Sequence, residues 1–340
     1  MSLADLIQRA PKALLHDHLD GGVRPATVIE LAQEFGYKDL PTTDVDDLAA
    51  WFNRGAKRND LVLYLETFAH TVGVMQDRDA IERVAYECAQ DLAADGVVYA
   101  ETRFGPLSHL DGGLTPDDVL VSVAAGLAEG EAATGTVARL IVCGIRENGP
   151  AEVAASARLA AAWSGRGVVG LDLAGAEAPF PADGYGEAYA IAREAALGTT
   201  VHAGEMDGVP SVRRALTLDP DRIGHGWRLV DDLDGPVAAE VRDRGLPLEV
   251  CVTSNACLGL PVEEHPVRRL HEAGFVVTVN PDDRAITTTS TSRECALWAD
   301  TLGFSDAELG ASQRAAVDVA FCDDTVRADV RSRIDGAWPV

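Results

Sequence analysis

The chain has 340 residues, 47% of them hydrophobic, and its 29 Lys+Arg against 54 Asp+Glu leave a formal net charge of −25. Such a charge repels phosphate backbones and anionic lipid, which argues against nucleic acid and membrane surfaces as partners. No apolar run approaches the roughly 20 residues of a transmembrane helix, and the first residues lack the basic-then-apolar order of a secretory signal. The expected compartment is therefore the cytoplasm. There Cys88, Cys143, Cys251, Cys257, Cys295 and Cys322, which form no C-x-x-C pair, are expected as reduced thiols.

Along the chain a short run rich in Val, Ile and Leu recurs, each time followed by a helix-like stretch. The runs are Ala13–Asp20, Val97–Phe104, Val137–Ile145, Val168–Gly175, Thr199–Glu205, Arg222–Gly226, Leu246–Ser254 and Phe275–Asp282. Several are nearly continuous in apolar residues, as expected of strands buried on both faces of a parallel sheet. The segment from Pro25 to about Ala94 reads as helical throughout, an excursion after the first strand. Within it, Asp79–Ala94 places Ile81, Val84, Ala85, Cys88 and Leu92 at helical spacing. Pro116–Glu131 follows Thr115 as N-cap, and Val262–Ala273 and Asp306–Phe321 read as further helices. Eight strands alternating with helices predict a (β/α)8 TIM barrel over residues 1–340, one domain with a helical excursion at about 25–95. A doubly wound sheet is the alternative, but no G-x-G-x-x-G follows an early strand.

Barrel strands are apolar inside, so polar residues at their C-terminal ends mark a candidate site. Four of the eight histidines sit at such ends: His16 and His18 in run one, His202 in run five and His225 in run six. Residues two apart on a strand share a face, so His16 and His18 can both aim at the barrel axis. Together with His202 and Asp282, from run eight, they make three imidazoles and one carboxylate, a donor set suited to Zn2+ or a similar divalent ion. Glu205, His225 and Asp283 supply acid and base groups beside it, with an N-cap of the next helix as the lesser reading of Asp283. Lys12, Lys38 and Lys57 are the lysines of the chain, and none lies at the end of run four. A lysine-bridged pair of metals is thereby excluded, and a single ion is expected.

These residues together resemble the adenosine deaminase family of the amidohydrolase superfamily. The matching segments are Leu15-His16-Asp17-His18-Leu19-Asp20-Gly21, Tyr99-Ala100-Glu101-Thr102-Arg103, Asp172-Leu173-Ala174-Gly175 and Thr200-Val201-His202-Ala203-Gly204-Glu205. They continue with Arg222-Ile223-Gly224-His225-Gly226, Thr253-Ser254-Asn255 and Asn280-Pro281-Asp282-Asp283, all in family order. The resemblance implies a zinc-dependent hydrolase, with one Zn2+ per chain, that removes the 6-amino group of adenosine or 2′-deoxyadenosine as ammonia. It implies that His16, His18, His202 and Asp282 hold the metal, and that Glu205 protonates purine N1. His225 and Asp283 would orient the attacking hydroxide. On the substrate side it implies His18, Asp20 at the ribose 5′-hydroxyl and Gly175 at purine N3 through its backbone amide. Phe68, in the helical excursion, either covers the ribose or packs an apolar helix face on the barrel.

The chain departs from the family pattern in places. Cys251-Val252 stands where Cys-Pro is common, Ala256 to Leu260 replace a polar segment, Asn280-Pro281-Asp282-Asp283-Arg284 replaces Asn-Thr-Asp-Asp-Pro, and Gly105 precedes Pro106. No expected ligand is lost, so a modified adenine nucleoside, a 5′-substituted one among them, or adenine itself stands as the alternative substrate. A carboxylate at Asp20 suits a neutral 5′-hydroxyl better than a 5′-phosphate. Two other readings, an amide or ester hydrolase on the same barrel and a binding protein without turnover, lack support. The first wants metal-bridging chemistry at run four, and the second wants loss of Glu205 or a ligand.

Overall fold

The structure is a computed structural model, and it describes residues 2–340. The strands are β1 (Lys12–His18), β2 (Val97–Phe104), β3 (Val137–Ile145), β4 (Val168–Ala174), β5 (Gly198–Thr199), β6 (His202–Ala203), β7 (Ile223–His225), β8 (Leu248–Val250) and β9 (Val277–Val279). All pairings are parallel, in two sheets ordered β1-β2-β3-β4-β5 and β6-β7-β8-β9. Every residue of β1 and β2 is buried, which is why these runs carry no polar alternation. Helices follow the strands in turn, giving the α/β architecture of a (β/α)8 barrel whose ladder is not continuous around the ring.

The two breaks in the ladder are informative. The fifth run is not one strand: Thr200 and Val201 separate β5 from β6, and the Thr200 amide donates to Leu171 O at 3.0 Å. At the other seam β9 and β1 meet through a single bridge, Asp17 with Asp282. There the His18 amide donates to Asp282 O at 2.9 Å and the Asp282 amide to His16 O at 3.2 Å. The amides of Leu15 and His16 instead donate to the Asn280 side chain, at 3.1 and 3.0 Å. Both breaks lie beside expected metal ligands, so a polar side chain or a second strand takes over where the ladder stops.

Other boundaries differ from the sequence reading for local reasons. The Leu246–Ser254 run turns helical at Val252–Cys257 after only three strand residues. The Val262–Ala273 stretch is a single turn, Val262–Glu264, then a helix Val267–Glu272, because His265 before Pro266 is extended. Asp306–Asp318 stops short of Phe321, whereas Pro116–Thr134 runs past Glu131 to the left-handed Gly135. Thr115 does cap that helix, its hydroxyl accepting the Asp118 amide in a capping box. The excursion holds helices Pro25–Phe35, Val45–Ala56, Leu61–Leu65, Phe68–Val74 and Arg78–Ala94. Among the described residues no helix is long and apolar enough to cross a membrane, and the six cysteines are unbonded to one another.

Candidate active site

The C-terminal ends of β1, β6, β7 and β9 meet in one buried cluster. His16 Nε2 lies 3.1 Å and His18 Nε2 3.3 Å from Asp282 Oδ1, and His18 Nε2 lies 3.3 Å from His202 Nε2. The ligand atoms of these four residues all fall within 4.8 Å of one another. Asp282 reaches this position from a left-handed backbone (φ +66°), and His225 has φ +62°. Non-glycine residues held there cost about 1–3 kcal/mol each, strain that clusters at functional sites.

Carboxylates orient the ligands from behind. Glu249 Oε2 is 2.9 Å from His16 Nδ1, and Asp172 Oδ2 is 2.9 Å from His202 Nδ1. Each ring thereby turns Nε2 toward the centre, as metal-binding histidines do. His16 Nε2 is buried there with no hydrogen-bond partner, an orphan that a metal ion would satisfy. A second grouping, His16, His225, Cys251 and Asp282, also falls within ligand distance of a common ion. In it the Cys251 thiol donates to Glu249 O at 3.4 Å, and burial pushes its pKa well up, so the first set fits better.

The orienting carboxylates stand on a fully buried ionic floor. Arg103 pairs with Asp172 at 3.0 Å and Glu249 at 2.9 Å, and Arg222 pairs with Glu249 at 2.6 Å and Glu101 at 2.5 Å. Despite the burial that opposes ionisation, His202 and Arg103 hold the Asp172 carboxyl well below the usual carboxylate range. Two guanidinium groups face three carboxylates, and the surplus negative charge is directed at His16 and His202. No motif or spacing in the sequence alone assigns a role to Asp172, Glu249 or Glu101. Their signal was available as charged residues inside otherwise apolar strands.

The expected acid–base groups share this corner. His225 Nε2 lies 3.7 Å from Glu205 Oε1 and 3.9 Å from Asp282 Oδ2. Burial, then the charges of Asp282 and Glu177, pushes the Glu205 pKa well above the carboxylate range. Glu177 fixes the loop that carries Glu205: its carboxylate accepts the amides of Gly204 and Glu205 at 2.8 Å and of Met206 at 3.1 Å. Asp283 does not cap the following helix with its side chain. It accepts the Tyr64 hydroxyl instead, and burial and Asp282 hold its pKa well up. Tyr64, absent from the sequence reading, comes from helix Leu61–Leu65, and nothing in its local sequence marked it.

A narrow chamber of about 40 Å³ touches His18, His202, Glu205, His225, Asp282 and Asp283. It shares His18, Leu65, Phe68, Ala174 and Gly175 with an outer cavity of about 510 Å³, within the usual range for small-molecule sites. Asp20 lines the outer cavity with one carboxyl oxygen unpartnered, and burial pushes its pKa up to about 7. Gly175 sits between the two spaces at φ +103°, where a side chain would strain the backbone and a Cβ would strike the Glu147 carboxylate. The Phe68 ring lies 6.3 Å from that of His18, so it both walls the cavity and packs against the core. The structure thus brings together all the expected site residues, with Asp20 on the outer side and Phe68 lining both spaces.

Residues 11–337 match the family model described as adenosine deaminase. The chain is 46% identical over 320 residues to the adenosine deaminase of Mycolicibacterium vanbaalenii, covering 90% of this chain and 88% of that one. Three solved structures superpose over nearly the whole chain. A zinc-bound amidohydrolase from Burkholderia ambifaria gives a TM-score of 0.88 at 27% identity, covering 99% and 93% of the two chains. The adenine deaminase of Arthrobacter aurescens gives 0.87 at 26% (96% and 98%), and the N6-mAMP deaminase of Arabidopsis 0.86 at 27% (98% and 100%). On the match of the family model and this identity, the chain belongs to the adenosine deaminase family.

Proposed function

We propose that this deaminase hydrolyses adenosine or 2′-deoxyadenosine to inosine or 2′-deoxyinosine and ammonia, with one zinc ion held by His16, His18, His202 and Asp282. The observation that carries the reading is the meeting of Glu205, His225 and Asp283 at the edge of the four-ligand cluster, under an apolar cavity. Zinc held by these four residues would supply a Lewis acid able to activate water at neutral pH. Glu205, protonated in its buried setting, donates to purine N1 and makes C6 electrophilic. His225 and Asp283 orient the incoming oxygen, so that the tetrahedral centre forms against fixed polar groups. The Gly175 amide meets N3, and Asp20 meets the ribose 5′-hydroxyl. Phe68 and Leu65 exclude water from the face of the base.

The relatives' names support adenosine, while the neighbouring structures include enzymes for adenine and for N6-mAMP. A buried carboxyl at Asp20 disfavours a 5′-phosphate, so the second reading is a 5′-substituted adenosine or adenine rather than a nucleotide. The test is ammonia release from adenosine, 2′-deoxyadenosine, adenine, AMP and 5′-modified adenosines, with metal content measured on the same samples. Adenosine and its 2′-deoxy form are expected to show the highest kcat/KM. A clear preference for AMP or adenine overturns the assignment. Glu205→Gln is expected to keep its metal and lose about 10²–10⁴-fold in kcat.

A further inference from the structure

His225 is useful beside the ligands only if the right nitrogen carries its proton, and the bonds behind the ring decide which one does. His265, 3% exposed, follows the turn Val262–Glu264. The backbone amide of Val267 donates to His265 Nδ1 at 3.2 Å. An amide is only ever a donor, so Nδ1 of His265 is an acceptor and the ring proton is on Nε2. His265 Nε2 lies 3.2 Å from Asn255 Oδ1, and Asn255 Nδ2 lies 3.4 Å from His225 Nδ1. Asn255, 1% exposed, is held in helix Val252–Cys257 between the two rings. Its reversed orientation would face an Nδ2 donor with the Nε2–H of His265, so only one orientation satisfies every bond.

From this chain of bonds we infer that His265 and Asn255 are positioning residues that fix His225 as its Nε2–H tautomer, with that proton facing Glu205 and Asp282. Each link passes direction to the next: a backbone N–H sets His265, His265 sets the Asn255 amide, and the amide makes His225 Nδ1 an acceptor. Burial supports the relay by pulling the His265 pKa down to about 3, so that ring stays neutral with a single proton to give. The relay has a consequence for the metal. An Nε2 that bears a proton cannot ligate, so His225 is kept out of the second grouping of possible ligands and left free to donate to an oxygen. Asn255 and His265 touch neither cavity, so nothing about their surface marks them.

The inference rests on the role proposed for His225, but its direct test does not require turnover. Long-range proton–nitrogen correlation spectra of the ¹⁵N-histidine-labelled holoenzyme, assigned by loss of the His225→Gln signals, read the tautomer. A pyridine-type Nδ1 and a pyrrole-type Nε2 are expected; a protonated Nδ1 overturns the inference. Asn255→Asp offers only acceptors, so it is expected to reverse the tautomer. It should lower kcat roughly 100-fold or more, the worth of a positioned proton-transfer group, with KM within about threefold. His265→Gln, which keeps an N–H toward Asn255, should retain far more activity than His265→Phe. Wild-type spectra and kcat in Asn255→Asp, or equal losses in the two His265 variants, would overturn the relay. If Asn255→Asp does not fold, the wild-type spectrum still decides. Failure of the adenosine assay with the expected tautomer present counts against the proposed substrate alone.

Discussion

The floor and the roof of the chamber are built on opposite principles. The floor is charged, buried and carried on strands: Arg103, Arg222, Glu101, Asp172 and Glu249 are each 0% exposed, and every guanidinium pairs with two carboxylates. The roof is apolar and carried on two short helices, Leu61–Leu65 and Phe68–Val74, with Leu65 and Phe68 only partly buried and the Tyr64 hydroxyl on Asp283 as its polar link to the site. The difference teaches where precision is needed. Ligand nitrogens must be held to fractions of an ångström, which strands and guanidinium groups that each bridge two carboxylates can do. A base needs only a shaped apolar wall, which short helices supply and which can be altered without disturbing the ligands.

The sharpest way to break this contrast is to remove one floor cation. Arg103→Leu leaves Asp172 buried without a guanidinium and Glu249 with Arg222 alone, and breaking a buried ion pair costs about 3–5 kcal/mol. Urea unfolding of the variant should show a loss of this size; an unchanged midpoint would mean the floor carries no such load. The roof should respond in a different quantity. Phe68→Leu is expected to raise KM for adenosine roughly tenfold, with kcat nearly unchanged and metal content intact. A fall in kcat with constant KM would instead move Phe68 into the reaction itself.

The smallest expected effect comes from a buried carboxylate that lies outside the floor. Glu294 has hydroxyl and amide partners, Thr289 Oγ1 at 2.8 Å and the Thr253 amide at 3.3 Å, but no guanidinium. Burial pushes its pKa up to about 7 despite those bonds. Its folded pKa lies above the unfolded value of 4.5, so the folded state holds more protons between the two. Stability from this group therefore falls as pH rises from about 5 to 7. Glu294→Gln is expected to flatten that part of the stability profile by at most about 1.4 kcal/mol per pH unit. Unfolding curves at pH 5, 6, 7 and 8 measure it, and an unaltered slope would show that Glu294 is ionised in the fold.

The regularity of apolar runs and the polar residues at their ends were legible in the chain itself, because a strand buried on both faces tolerates polarity only where it opens to the mouth. His16, His18, His202 and Asp282 could be grouped on that ground, and Glu205, His225 and Asp283 beside them. What could not be read was which ring each supporting carboxylate holds. Asp172 reaches His202 across 30 positions and Glu249 reaches His16 across 233, and no local spacing encodes such a pair. The break at Thr200–Val201 was hidden for a related reason: Thr199–Glu205 has strand composition, and whether it pairs depends on the neighbours' positions.

By itself, then, the sequence determined the kind of fold, the donor set and the absence of a bridging lysine, since these follow from periodicity and residue type. Only the tertiary structure decided which nitrogen of each imidazole faces the centre, which carboxyls burial pushes toward a higher pKa, and that Tyr64 and Phe68 roof the chamber. Those properties depend on burial, on long-range charge and on bond direction, and none of the three exists until the chain has folded.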